Sequence, residues 1–154
     1  MLPETMSGNE IERSALEKVF DMNSSIERFK RFPFDRRITM RQAQLLHSLW
    51  SLGHPPTLSE IAEIDRSGTT QACRQLTYRL EHLGYIAVDV DEQDRRAVRI
   101  LLTEDGSKVG EAYEGFFREL TSLISKDMSE DELKIVARFL DSFINVLGKR
   151  LRPS

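Results

Sequence analysis

Apolar residues recur at three- and four-residue steps in long stretches at both ends of the chain and in shorter ones between them, and they alternate only briefly in one place. That pattern predicts a mainly α protein with a small β-element. The first helix starts at Asn9 and carries Ile11, Ala15, Leu16, Val19, Met22, Ile26 and Phe29 along one face. Phe32-Pro33-Phe34-Asp35 breaks it, because proline cannot continue the backbone ladder and restricts the residue before it. Thr39 caps a second helix from Met40 to Leu52, with Ala43, Leu46, Leu49 and Trp50 inward and Gly53 closing it. Thr57-Leu58-Ser59-Glu60 is a capping box for a short helix that reaches about Ile64. After the turn Asp65-Arg66-Ser67-Gly68, Thr69 or Thr70 caps a helix ending at Leu83, with Gly84 as its stop.

Cys73, Leu76, Leu80 and Leu83 fall on one stripe of that helix, leaving Thr70, Gln71, Arg74, Gln75 and Tyr78 on the other face. Ala87 to Val90 and Ala97 to Leu102 then read as two strands joined by an acidic turn tipped with Arg95 and Arg96. Thr103 opens a long helix through Val109, Ala112, Tyr113, Phe116, Phe117, Leu120, Leu123 and Ile124. A further capping box, Ser129-Glu130-Asp131-Glu132, leads into the stripe Leu133, Val136, Phe139, Leu140, Phe143, Ile144 and Leu147. Two short helices with a turn between them, followed by a two-stranded wing, is the order of a DNA-reading module.

At these residues the chain closely resembles the MarR family of bacterial transcription regulators. That family's wing carries an Asp-Arg-Arg core followed by a Leu-Thr-x-x-Gly helix start; here they read Asp94-Arg95-Arg96 and Leu102-Thr103-Glu104-Asp105-Gly106. The likeness extends in motif detail from about Thr39 to Gly106, and the flanking helices match by pattern. The resemblance implies a winged helix-turn-helix domain with N- and C-terminal dimerisation helices. The expected division is a disordered tail over 1–8, an N-terminal dimerisation helix over 9–35, the winged domain over 36–103 and C-terminal dimerisation helices over 104–154. It also implies a homodimer binding double-stranded DNA at a pseudo-palindromic operator, most often as a repressor.

The candidate DNA contacts are Thr69, Thr70, Gln71, Arg74 and Gln75 on the second helix of the motif, with Arg95 and Arg96 on the wing. Arginine matches guanine O6 and N7, and glutamine matches adenine N6 and N7, in the major groove. Asp94 is expected to shape the wing by pairing with Arg96, since a carboxylate near phosphate is repelled. A solvated polar face and an exposed ion-pair cluster are the bland alternatives. One departure from the family is Ala87-Val88-Asp89, where many relatives place an arginine.

Charge complicates this expectation. The chain has 154 residues and a formal net charge of −3, and from Thr57 to Thr103 six basic residues stand against eight acidic ones. DNA binding therefore requires the arginines to be segregated onto one face. The preceding segment has the opposite sign: Arg28, Lys30, Arg31, Arg36, Arg37 and Arg41 against Asp35 alone, either a source of phosphate contacts or a solvated basic face.

The resemblance further implies a possible pocket for a small aromatic or lipophilic acid where the dimer helices join the DNA-reading domain. Phe32, Phe34, Trp50, Tyr113 and Phe117, with Phe29, are candidate walls, and Arg36 or Arg37 the partner for a carboxylate. Aromatic residues at helical spacing serving simply as core is the competing reading. Cys73, the one cysteine, excludes an internal disulfide, and its apolar stripe argues for a buried, inert thiol over a redox sensor.

His47, His54 and His82 show no metal-ligand spacing, and no nucleophile-and-base constellation is present, so the expectation is a non-enzyme without cofactor or metal. No apolar run approaches the roughly 18 to 20 residues of a membrane span, and Met1-Leu2-Pro3-Glu4 lacks a secretion-signal pattern. A cytoplasmic protein with no membrane partner is expected. Two other readings remain at this stage: a winged-helix module that binds protein, and a ligand- or redox-sensing dimer whose DNA binding is conditional.

Overall fold

A computed structural model describes residues 7–64, 70–90, 92–94 and 98–150, with Thr70 described for its backbone alone. Its elements are α1 (Gly8–Arg28), α2 (Met40–Leu52), α3 (Leu58–Ile64), α4 (Thr70–His82), β1 (Ile86–Val90), β2 (Val98–Leu102), α5 (Glu104–Ser125) and α6 (Glu130–Arg150). The mainly α architecture with a small β-wing is thus present. The chain divides within α5 into two compact units, residues 1–113 and 114–154.

Local capping chemistry sets most of the helix boundaries. Gln42 completes a capping box at α2: its side chain accepts from the Thr39 N–H at 2.9 Å, and its own N–H donates to Thr39 Oγ1 at 3.2 Å. Gly53 ends the helix in the left-handed region at φ 73°, where a side chain would be strained. At α3 the Glu60 carboxylate accepts from the Thr57 N–H at 2.6 Å, which holds its pKa below the usual range. Helix α1 begins at Gly8, one residue before the expected start, because the Glu10 carboxylate accepts from both the N–H and the hydroxyl of Ser7. It ends at Arg28, well short of Pro33. The connection that follows is folded rather than extended: Phe32 N–H donates to Ile38 O at 2.9 Å, and Phe32 and Ile38 are both fully buried.

The core of the first unit combines Phe32 and Ile38 with Leu46 of α2, Ile61 of α3, Cys73 and Leu80 of α4, Ile86 and Ile100 of the wing, and Val109 and Tyr113 of α5. Trp50 departs from expectation: it is 40% exposed, while Gln42 and Leu45 join Ala43, Leu46 and Leu49 on the buried side of α2. An apolar stripe about 100° wide leaves its edge positions to be decided by what packs against them. Here Gly110 of α5 meets the base of Trp50 and leaves the ring at the rim, since a β-carbon on Gly110 would stand 2.6 Å from Trp50 Cβ.

β1 and β2 pair antiparallel in the register Ile86↔Leu102 to Val90↔Val98, so β1 starts one residue earlier than expected. Ala97, expected as the first residue of β2, lies outside the described residues. The segment before α3 pairs with the other edge of β2: Thr57 bridges Arg99, and Ile100 N–H donates to Pro56 O at 2.8 Å. In the first unit, α1 leaves Ile11, Leu16, Phe20, Met22 and Ile26 exposed. In the second, α5 exposes Phe117, Leu120, Leu123 and Ile124, and α6 exposes Ile135, Val136, Phe139, Ile144 and Val146.

Candidate nucleic-acid interface

Helix α4 presents two chemically distinct faces. Cys73, Thr77 and Leu80 are buried, and the Thr77 hydroxyl is satisfied by donating to Cys73 O at 2.8 Å. Gln71, Arg74, Gln75 and Tyr78 are exposed on the other side, Tyr78 at 71%. Polar and aromatic groups aligned on the outer face of the second helix of such a motif match the donor and acceptor pattern of a major groove. Tyr78 continues the stripe one turn beyond Arg74. Thr70 is the first helical residue; its side chain, Thr69, Arg95 and Arg96 lie outside the described residues. Asp94 is described and exposed, but its expected pairing with Arg96 lies outside the described residues as well.

The wing is joined to the module at both strands. Arg99, on β2, donates from its guanidinium to Pro55 O at 3.1 Å, which holds the strand against the segment leading into α3. At the other end Thr103 ties three elements together: its N–H donates to Tyr85 O at 3.1 Å, its hydroxyl donates to Gly84 O at 2.7 Å, and it accepts from Gly106 N–H at 3.1 Å. Gly84, at φ 83°, ends the turn after α4 in the left-handed region and directs the chain into β1.

Sequence reasoning missed the polar cluster beside this junction. Asp35 accepts from Arg37 Nε at 3.0 Å and from Nη2 at 2.8 Å, and the Tyr85 hydroxyl donates to its Oδ2. The Arg37 guanidinium also lies over the Tyr85 ring, 5.2 Å from its centre. The Arg37 hydrogen bonds hold the Asp35 carboxyl down to about 2. Burial, followed by the hydrogen bond to Asp35, pushes the Tyr85 phenol up to about 12. The signal in the sequence was Asp35 as the single acid in a basic run; its partner stands 50 residues further on.

The candidate effector residues are dispersed. Phe32 and Phe34 lie 5.5 Å apart between ring centres and help line a cavity of about 290 Å3, with Asp35, Arg37, Tyr85 and Lys108 among its other walls. Both candidate arginines are exposed, and of the two Arg37 lines this cavity. Tyr113 stands behind Phe32 at 6.1 Å, and His47 connects Tyr113 to Trp50 through ring contacts of 5.0 and 5.9 Å. Trp50 lines a separate hollow of about 200 Å3 with His54, Pro55, Pro56 and Ile100. Phe117 belongs to the second unit. Among the described residues, no group of three or more His, Cys, Asp or Glu side chains is placed to hold a metal ion, and no helix is long and apolar enough to cross a membrane.

Residues 38–106 match the family model of a winged helix DNA-binding domain, the same stretch that carries the motifs described above. No curated protein sequence matches the chain. Among solved structures, Streptococcus pneumoniae FabT in complex with DNA is similar at 22% identity and a TM-score of 0.71, over 92% of this chain and 98% of that one. Bordetella bronchiseptica BpsR, described with the regulation of its DNA binding by 6-hydroxynicotinic acid, is similar at 22% identity and a TM-score of 0.65, over 87% and 98%. MepR, a transcription regulator of a Staphylococcus aureus multidrug efflux pump, is similar at 23% identity and a TM-score of 0.58, over 92% and 99%. The winged helix fold with its long flanking helices therefore runs through nearly the whole of each compared chain.

Proposed function

We propose that this chain, a winged-helix protein of the MarR type in its fold, is a sequence-specific DNA-binding transcription regulator that acts as a homodimer on a pseudo-palindromic operator. The observation that carries the reading is α4: Gln71, Arg74, Gln75 and Tyr78 form an exposed face directly opposite the buried Cys73, Thr77 and Leu80. Thr69, Thr70, Gln71, Arg74 and Gln75 enter the major groove in this reading, and Arg95 and Arg96 bring the wing to the adjacent minor groove with Asp94 shaping the loop. Segments 9–35 and 104–154 serve dimerisation, supported by the exposed apolar faces of α1, distal α5 and α6. A two-fold dimer sets two recognition helices about one DNA turn apart. The role is repression, exercised in the cytoplasm, and it is a binding role rather than a catalytic one.

A small-molecule effector is a second reading, favoured by the 290 Å3 cavity that Phe32 and Phe34 line beside Arg37 and Tyr85. The likeness to BpsR, a protein described as regulated by 6-hydroxynicotinic acid, supports the same direction.

Selection of the purified dimer against random duplex DNA, followed by sequencing, tests the primary reading. Recovery of a near-palindrome with half-sites one turn apart supports it. A steep decline of affinity with salt would then mark phosphate contact by the module's arginines. Failure to enrich any sequence, from a folded dimer, favours a winged-helix module that binds protein instead.

A further inference from the structure

We propose that Asp35, held in place by Arg37, is a positioning residue for the DNA-reading surface, because its bond from the Tyr85 hydroxyl clamps the α1–α2 connection to the joint between α4, the wing and α5. The consequence for DNA rests on the function proposed above; the clamp itself rests on the contacts. Tyr85 makes three hydrogen bonds and one close backbone contact. Its N–H donates to Leu80 O in the last turn of α4 at 3.0 Å, and its carbonyl accepts from Thr103 N–H at 3.1 Å. That same carbonyl lies against Gly106 in the first turn of α5, and its hydroxyl donates to Asp35. One residue therefore joins the recognition helix, both ends of the wing and the segment between α1 and α2.

The far side of the clamp is equally constrained. Asp35 accepts from the backbone N–H of Arg37 at 3.1 Å as well as from its guanidinium, and the Asp35 carbonyl accepts from Ile38 N–H at 3.3 Å. Phe32 and Ile38, on either side, are fixed in the core. A phenylalanine at 85 would fill the same space. The hydroxyl adds direction: held by a carboxylate on a rigid turn, it fixes the long axis of the ring and so the backbone from which α4 and β1 diverge. A charge-assisted hydrogen bond in a half-buried site is strong enough to select one arrangement of that joint. Asp35, Arg37 and Tyr85 also form part of the wall of the 290 Å3 cavity, so movement of the α1–α2 connection there reaches α4 and the wing through the clamp.

The test compares full-length wild type with Tyr85→Phe, Asp35→Asn and the double variant by amide hydrogen exchange without DNA, and by affinity for the selected operator across a salt series. We expect the amides of Tyr85, Ile100 and Thr103 to exchange about tenfold faster in each single variant, with those of Ala43 and Leu46 in α2 unaffected. Operator affinity should weaken by about three- to tenfold with an unchanged salt slope, because no phosphate contact is lost. The double variant should be no worse than Asp35→Asn alone, because loss of the carboxylate already removes the charge-assisted acceptor of the Tyr85 hydroxyl. Unchanged exchange at the wing base, additive losses, or equal affinity in all variants would overturn the proposal. A wild type that binds no duplex would instead overturn the DNA-binding reading, and the exchange rates would still decide whether the clamp holds the joint.

Discussion

A β-carbon on Gly106 would stand 2.0 Å from the carbonyl oxygen of Tyr85. The first turn of α5 therefore lies backbone against backbone on the start of the wing, with Thr103 bonded to Gly84, Tyr85 and Gly106 beside it. This contact is a physical reason for the Leu102-Thr103-Glu104-Asp105-Gly106 motif: threonine supplies the cap and the tie, and only glycine leaves room for the approach. Gly106→Ala should destabilise the protein by about 1–3 kcal/mol, the usual range for forcing atoms into a close-packed site. Gly8→Ala is the control, because a β-carbon there meets nothing within 4 Å. Thermal unfolding of the two variants checks this, and equal midpoints would mean that the junction has slack.

The motif was legible in the sequence while its partner was not. Thr39, Gly53, Thr57 and Ser129 announce helix ends because their chemistry is completed within four residues, and the α4 face appears because an apolar stripe defines its opposite. The Asp35–Tyr85 bond spans 50 residues, and periodicity says nothing about which two turns will meet. Trp50 was misplaced for a related reason: whether the edge of a stripe is inside depends on a neighbouring element, here Gly110. Gln42 was overlooked because a buried glutamine contradicts polarity alone, and its place follows only from the reciprocal bonds with Thr39.

The clamp has a pH signature with two limbs. Asp35 is lowered from its ordinary 3.8 to about 2, so its contribution is present above about 4 and is lost as pH falls through that range toward 2. Tyr85 is raised from 10 to about 12, so its contribution is complete below about 10 and is lost as pH climbs toward 12. The acid limb reports chiefly the Arg37 hydrogen bonds to Asp35 and the alkaline limb chiefly the burial of Tyr85, with the bond between the two side chains contributing to both. Denaturant titrations at stepped pH should show Asp35→Asn flattening the acid limb and Tyr85→Phe flattening the alkaline one. Parallel curves for wild type and both variants would exclude the linkage.

Cys73 is 1% exposed, within the stripe that anchors α4. A thiol there reacts only when the helix opens, so a disulfide reagent should modify the native protein on the order of a hundredfold more slowly than the unfolded chain. Operator binding should likewise survive brief peroxide treatment. Native modification as fast as in denaturant, accompanied by loss of DNA binding, would restore the redox-sensing alternative.

Arg74 separates sequence reading from simple charge attraction. It is exposed on α4, one turn after Gln71 and one before Tyr78, and its helix is fixed from behind by Cys73, Thr77 and Leu80. From this position an arginine that forks onto guanine O6 and N7 contributes discrimination at one base pair in each half-site. Arg74→Ala should then cost about 1–3 kcal/mol on the preferred operator and much less on an operator altered at that base pair. Arg74→Lys should recover little of the preference, because an ammonium cannot reproduce the planar fork. If the arginine instead meets phosphate, lysine should restore most of the affinity. Alanine should then weaken all sequences alike and lower the log–log salt slope by about one. Titrating the three proteins against the matched operators at two salt concentrations distinguishes the outcomes, and an unchanged affinity for Arg74→Ala would remove this residue from the interface.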